Sequence, residues 1–219
     1  MRLVSRSRAD PTPMTTLQTR IYLASRSPRR RELLRQIGVH FDLLVFRGGE
    51  RGEDADVDET PFPDEPVERY VERIALTKAE AGFRRLHWRM LPRNPVLTAD
   101  TTLELEGEII GKPRDADDAR AILQRLSGRT HRVLTAVAMS DGARIRSRIS
   151  TSEVRFRTLG ESEIRQYVAS GEPMDKAGAY AIQGRAAIFI EEIRGSYTGI
   201  MGLPLFETAQ LLEEFGYSL

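Results

Sequence analysis

Two apolar periods alternate along this chain, one of strands and one of helices. The run Ile21-Tyr22-Leu23-Ala24 reads as a strand, and Ser25-Arg26-Ser27-Pro28-Arg29-Arg30-Arg31-Glu32-Leu33-Leu34 follows where a helix is expected to begin. Ser27 suits the N-cap and Pro28 the first helical position; Leu33, Leu34 and Ile37 give the helix one apolar side before Gly38 ends it. Residues 41–46 read as a second strand. From about Pro66, the spacing of Val67, Tyr70, Val71, Ile74, Ala75 and Ala79 predicts a long helix. Residues 95–99 form a short apolar strand that delivers Asp100 and Thr101 at its carboxyl end, where α/β proteins tend to place ligands. A hairpin through Glu106-Gly107 returns by Ile109-Ile110 into Gly111-Lys112-Pro113, which brings Lys112 toward Asp100.

Farther along, Asp115 caps a helix with Ala119, Ile122, Leu123 and Leu126 on one face, closed by Gly128. Residues 131–139 and 144–156 form a second hairpin about Asp141-Gly142. A helix near 161–169 stops at Gly171, and residues 172–184 are too rich in polar and small side chains to be core, so they read as a binding wall. Residues 187–193 read as a buried strand, and Pro204 opens a last amphipathic helix through Leu205, Ala209, Leu212 and Phe215. Strands and helices interleave without repeat or linker, the pattern of one α/β unit.

The composition narrows the function classes. The 219 residues, 40% of them hydrophobic, suffice for a well-buried core without staples. Lysine and arginine total 33 against 32 acids, and a net charge of +1 argues against a protein built to coat nucleic acid. With no cysteine, disulfides, iron–sulfur clusters and thiolate zinc sites are excluded, and a reducing cytoplasm suits the chain. His40, His87 and His131 lack ligand spacing and read as surface or ordinary packed histidines. No apolar run approaches the roughly 18 residues of a membrane helix, so a soluble protein without membrane association is expected. Residues 1–18 lack any period and read as a disordered extension to a single domain over 19–219, with Met14 as a candidate true start.

The candidate chemistry begins with charge. Free N–H groups at a helix start attract anions, and Arg29 and Arg30 there add charge-assisted hydrogen bonds to phosphate oxygens. The alternative is a solvated helix face or a nucleic-acid patch. Lys78 falls on the apolar stripe with Val71, Ile74 and Ala75, so it either snorkels or reaches into a cleft toward an anion. Most of the acids in residues 50–65 suit a solvated loop.

Eight segments in order give the chain a close resemblance to the Maf-like nucleoside triphosphate pyrophosphatases. They are Leu23-Ala24-Ser25-x-Ser27-Pro28-Arg29-Arg30, Asp58-Glu59, Arg73-x-Ala75-x-x-Lys78-Ala79, Ala99-Asp100-Thr101, Gly111-Lys112-Pro113, Leu126-Ser127-Gly128-x-x-His131-x-Val133, Asp175-Lys176-Ala177-Gly178-Ala179-Tyr180-x-Ile182-Gln183-Gly184 and Gly202-Leu203-Pro204. The resemblance implies an elongated mixed α/β sheet flanked by helices, with a deep cleft between two lobes as in inosine triphosphatases. It implies cleavage between the α and β phosphates with a divalent cation, usually Mg2+, and a homodimer.

On the same footing, Asp100 is the proton acceptor that activates water and Lys78 and Lys112 are catalytic. Ser27, Arg29, Arg30, Thr101 and Gln183 bind substrate, and Glu59 and Asp100 hold the metal, although the run Arg47-Gly48-Gly49-Glu50-Arg51-Gly52-Glu53 lengthens the loop before Glu59. These cations and hard oxygen ligands are the types that such chemistry needs. Ile182-Gln183-Gly184, with Arg29 and Thr101, resembles the branch acting on dTTP and UTP, with 5-modified pyrimidine triphosphates as further candidate substrates. The Gln183 amide offers the paired donor and acceptor that an imide edge needs. The alternatives are the 7-methyl-GTP branch and a non-catalytic nucleotide- or nucleic-acid-binding regulator of septum formation.

Overall fold

In chain order the elements are β1 (Ile21–Leu23), α1 (Pro28–Gln36), β2 (Phe41–Leu43), α2 (Val67–Trp88), β3 (Val96–Leu105), β4 (Glu108–Ile110), α3 (Ala116–Leu126), β5 (Thr130–Ser140), β6 (Ile145–Phe156), α4 (Glu161–Ala169), β7 (Ile190–Arg194), α5 (Tyr197–Met201) and α6 (Leu205–Glu214). Short 3-10 turns at Ala177–Ala179 and Arg185–Phe189 lie between α4 and β7. The computed structural model describes residues 20–45 and 57–219. The extension over 1–18 and the acids Glu50, Glu53, Asp54 and Asp56 lie outside the described residues. None of the described helices is long and apolar enough to cross a membrane.

The strands form one seven-stranded mixed sheet in the order β2-β1-β3-β5-β6-β7, with β4 also on β3. β1 runs parallel to β2 and β3, and all other pairs are antiparallel. The expected mixed α/β sheet flanked by helices is therefore present. Alternation along β3 divides its side chains between two faces. Leu97 and Ala99 join a core under α1 and α6, whereas Leu103 and Leu105, on the same face, join a second core under α3 and α4. Thr101 falls between these two cores. On the opposite face Ala136 and Ala138 of β5 pack with Val71, Ile74, Ala75 and Ala79 of α2.

Small residues bring α2 close to the sheet. A Cβ at Gly82 would meet Val96 Cγ1 at 2.8 Å, and the Thr98 hydroxyl donates to the Ala75 carbonyl at 2.8 Å. On α3, Ala119, Ile122, Leu123 and Leu126 are buried as their spacing predicts. Full burial of a large aliphatic side chain is worth about 1.5–3 kcal/mol.

Four expectations need correction. The strand at 95–99 does not end before Asp100: β3 continues to Leu105, so Asp100 and Thr101 lie mid-strand. Asp100 and Thr101 conceal the strand in sequence because the side chains that bond them, Lys78 and Arg30, come from distant segments. Residues 172–184 are not wholly outside the core, since Ala179, Tyr180, Ala181 and Ile182 are buried. Residues 187–193 are not a buried strand; a 3-10 turn leads into β7, a half-exposed edge strand whose Glu191 and Glu192 pair with Arg155. Charged side chains suit a sheet edge. Finally, the second strand ends at Leu43, short of Leu44 and Val45, while residue 46 lies outside the described residues, and α5 went unforeseen, being only five residues long.

His131 is buried, with its Nε2 at 2.8 Å from the Tyr180 hydroxyl and its ring edge-on to Phe156. Burial pushes its pKa down to about 4, so the folded protein keeps the imidazole neutral while the unfolded chain protonates it near 6.5. That contribution is complete above the unfolded pKa and is lost as pH falls toward 4. Between pH 7 and 4.5, urea unfolding of the wild type should lose about 2–3 kcal/mol more than that of His131→Gln; equal losses would exclude this role.

Candidate active site

The topology leaves a notch in β3. β5 pairs along one edge of it, from Val96 to Glu104, while the other edge takes β1 at Val96 and Leu97 and β4 at Leu103 to Leu105. Between these two partners, residues 99–102 have no strand on that side. Both Asp100 and Thr101 lie at this gap, pointing to opposite faces.

On the α2 face, Lys78 resolves the choice between snorkelling and reaching inward. Its Nζ lies 2.7 Å from Asp100 Oδ1 and 2.6 Å from Glu59 Oε1, with the lysine side chain only 17% exposed. Two carboxylates from distant segments thus share one ammonium. Glu59 is held there by α2, because the Tyr70 hydroxyl donates to the Glu59 carbonyl at 2.9 Å. Arg73 grips the same segment, donating to both Glu65 oxygens at 2.6 Å and to the Thr60 carbonyl at 3.1 Å. Burial, followed by the charges of Asp100 and Glu59, pushes the Tyr70 pKa up to about 12, so the phenol stays a donor. The lengthened loop before Glu59 has not displaced it from Asp100 and Lys78.

On the other face, the Arg30 side chain is half-buried. Nε donates to Gly202 O at 2.7 Å, Nη1 to Ala99 O at 2.6 Å and Ser25 Oγ at 3.4 Å, and Nη2 to Thr101 Oγ1 at 3.1 Å. Four of the five N–H groups of an arginine are thus used within the protein. Burial lowers its pKa and Asp100 opposes that shift, which leaves it a cation. Thr135 completes the cluster, its hydroxyl 3.0 Å from Thr101 Oγ1 and 2.7 Å from Gly199 O.

The remaining predicted residues make no direct contact with Asp100 among the bonds that the structure shows. Ser27 is at the N-cap of α1, yet its side chain makes no capping bond; its N–H donates to Ser25 Oγ at 3.2 Å. Arg29, in the first turn of α1, is partly exposed. Lys112 and Gln183 are exposed and bond to no described residue, so the predicted approach of Lys112 to Asp100 is not a direct contact. The Lys112 segment does meet the Lys176 segment, through Gly178 N–H donating to Gly111 O at 3.0 Å. Gly178 has φ +72°, and a Cβ there would strike Leu103 Cδ1 at 2.3 Å. Burial and then the charge of Arg29 push the Lys176 ammonium down. Sequence reasoning gave no role to Tyr70, Arg73, Thr135 or Lys176. Arg73 and Lys176 stand in segments that carry the resemblance, which was the available signal; Thr135 had none.

Two carboxylates on one lysine, with an arginine fixed on the opposite face of the same strand, make an arrangement suited to proton transfer from water beside an anionic ligand. The chain belongs to the Maf family: the Maf-like protein family model matches residues 20–215. A protein of Aromatoleum aromaticum named dTTP/UTP pyrophosphatase is 81% identical over 206 residues, 94% of this chain and 100% of that one. A protein of Dechloromonas aromatica with the same name is 59% identical, covering 90% of this chain and 98% of its own. Among solved structures, the Staphylococcus aureus Ham1 protein is a distant likeness, with TM-score 0.46 and 18% identity over 90% of this chain and 97% of that chain.

Removing one member of a shielded ion pair strands the other. Lys78→Met should therefore cost about 2–4 kcal/mol in urea unfolding at pH 7, and Lys78→Met with Asp100→Asn should recover much of that loss. Additive effects in the double variant would dissolve the coupling.

Proposed function

We propose that this chain hydrolyses dTTP and UTP to the nucleoside monophosphate and pyrophosphate, and extends to 5-modified pyrimidine triphosphates. The observation that carries the reading is the Lys78 ammonium bonded to both Asp100 and Glu59, in a chain whose near relatives bear the name dTTP/UTP pyrophosphatase. Asp100, one of whose oxygens Lys78 occupies, takes the proton of the attacking water. Lys78 and Lys112 offset the charge that develops on the transferring phosphoryl group and on the leaving pyrophosphate. Arg29, with Ser27 at the start of α1, holds phosphate oxygens. Arg30 offers substrate at most its one uncommitted N–H, and otherwise fixes Thr101 and the β3 edge. Gln183 reads the imide edge of the base.

The donor set fits a magnesium-sized cation. Among the described residues there is no group of three or more His, Asp and Glu able to hold a metal. Glu59 and Asp100 supply two hard oxygens, and Mg2+ commonly completes its octahedron with substrate phosphates and water. When bound, such an ion supplies charge stabilisation on the phosphates. The same reading includes a single catalytic domain from about residue 19 onward, a cytoplasmic location that suits a chain without cysteine, and a homodimer.

A panel of canonical and 5-modified nucleoside triphosphates with Mg2+, resolving monophosphate plus pyrophosphate from diphosphate plus phosphate, tests the activity. Pyrophosphate release should be fastest with dTTP, UTP and their 5-modified relatives, with CTP a poor substrate; a preference for 7-methyl-GTP would overturn the base assignment, and no turnover of any substrate would overturn the enzyme. Asp100→Asn should lower kcat for UTP by about 10²- to 10⁴-fold with an unchanged circular dichroism spectrum. A near-wild-type rate in that variant would remove Asp100 from the mechanism.

A further inference from the structure

We propose that Tyr167 and Glu172 are positioning residues that orient the turn carrying Gln183 and so set the choice of base; this rests on the reading of Gln183 as the base-contacting residue. Gln183 is exposed and bonds to no described residue, so its direction comes from the backbone beneath it. That backbone is a tight turn, closed by Gly184 N–H donating to the Ala181 carbonyl at 3.0 Å. Both flanks are tied to one polar pair. The Ala181 N–H donates to the Tyr167 hydroxyl at 3.3 Å, that hydroxyl donates to Glu172 Oε1 at 3.0 Å, and the Arg185 N–H donates to Glu172 Oε2 at 3.1 Å.

The pair is itself anchored. Tyr167 is buried on α4 with its ring edge-on to Phe189, centroids 5.2 Å apart, and burial, followed by the bond to Glu172, pushes the phenol pKa up, so it remains a donor. On the other side of the turn, Tyr180 is fixed by His131 and packs against Phe156 at 4.9 Å. Gly184 approaches so closely that a Cβ there would lie 2.1 Å from Glu172 Oε1. The chemistry requires an acceptor on both oxygens, because Tyr167 O–H and Arg185 N–H are both donors. An amide at position 172 would turn a donor toward one of them. Loss of the Tyr167 hydroxyl strands the Ala181 N–H inside the fold.

The test measures kcat/KM for UTP and CTP with Mg2+ in the wild type, Gln183→Ala, Glu172→Gln and Tyr167→Phe, alongside thermal unfolding. Cytosine carries an amine where uracil carries a carbonyl, so the ratio of the two values reports how the base edge is read. The expected result is a fall of about tenfold in that ratio for both Glu172→Gln and Tyr167→Phe, toward the value of Gln183→Ala. A purely structural role lowers both rates together and leaves the ratio unchanged. Should Glu172→Gln not fold, Tyr167→Phe, which keeps the ring, decides. A wild-type ratio in the positioning variants, with the ratio lost in Gln183→Ala, overturns the positioning role and spares the base reading. A wild-type ratio in Gln183→Ala overturns that reading and this proposal with it.

Discussion

A single long strand that must serve two cores constrains the rest of the molecule. β3 gives Leu97 and Ala99 to one core and Leu103 and Leu105 to the other, and its outer edge passes from β1 to β4 between them. Neither partner covers residues 99–102. An uncovered strand edge inside a folded protein leaves main-chain groups that need partners. Arg30 meets part of that need by donating to the Ala99 carbonyl, and it ties α1 and the turn before α6 to the same place. The notch is thus a consequence of sheet topology, and the residues that line it are the ones able to satisfy a broken ladder.

The two faces of β3 handle charge differently. Under α1 and α6, a half-buried guanidinium is surrounded by main-chain carbonyls and hydroxyls that take four of its five N–H groups and fix its position. Arginine suits this role because its rigid fork matches several acceptors at once and remains charged when desolvated. Beneath α2, Lys78 instead meets two carboxylates on a flexible stem, and Tyr70 and Arg73 fix the segment that supplies the second. One ammonium against two carboxylates leaves that side net negative, while Arg29, Lys112 and Lys176 make the surroundings positive. Such a division suits a ligand that is itself a polyanion needing one reactive atom beside a base.

Much of this was legible in sequence where the signal is local. The starts of α1 at Ser27-Pro28 and of α3 at Asp115, the apolar stripes of α1, α2 and α3 and the turns at Glu106-Gly107 and Asp141-Gly142 all depend on neighbours within a few residues. Lys78 stood out because a lysine interrupted an apolar stripe, and the structure gives it two acids. What failed to show was whatever depends on main-chain acceptors far away. Arg30 reads as a phosphate ligand in sequence because nothing there reveals that the carbonyls of Ala99 and Gly202 will surround it. The length of β3 was hidden for a related reason: Asp100 and Thr101 look like the end of a strand until Lys78 bonds the first and Arg30 and Thr135 bond the second. Tyr180 and Ile182 looked like wall because their burial depends on His131 and Phe156, which lie far upstream.

The polar residues also carry positional information that apolar packing does not. A leucine tolerates a slide of its neighbour at little cost, whereas a hydrogen bond weakens steeply with angle and distance. At Glu59, at Thr101 and at the turn below Gln183, the chain fixes an exposed or half-exposed functional group through bonds to its backbone or hydroxyl rather than through packing of the group itself. Tyr70 holds the Glu59 carbonyl, Arg30 and Thr135 hold the Thr101 hydroxyl, and Tyr167 with Glu172 holds both flanks of the Gln183 turn. Bonds of this kind hold a side chain's backbone or hydroxyl while leaving the rest of it unburied, which removes conformational freedom that binding any ligand there would otherwise have to overcome. The same economy explains why the buttresses lie on α2, α4 and the long strands: elements with their own cores can bear the cost of ordering a polar site that has none.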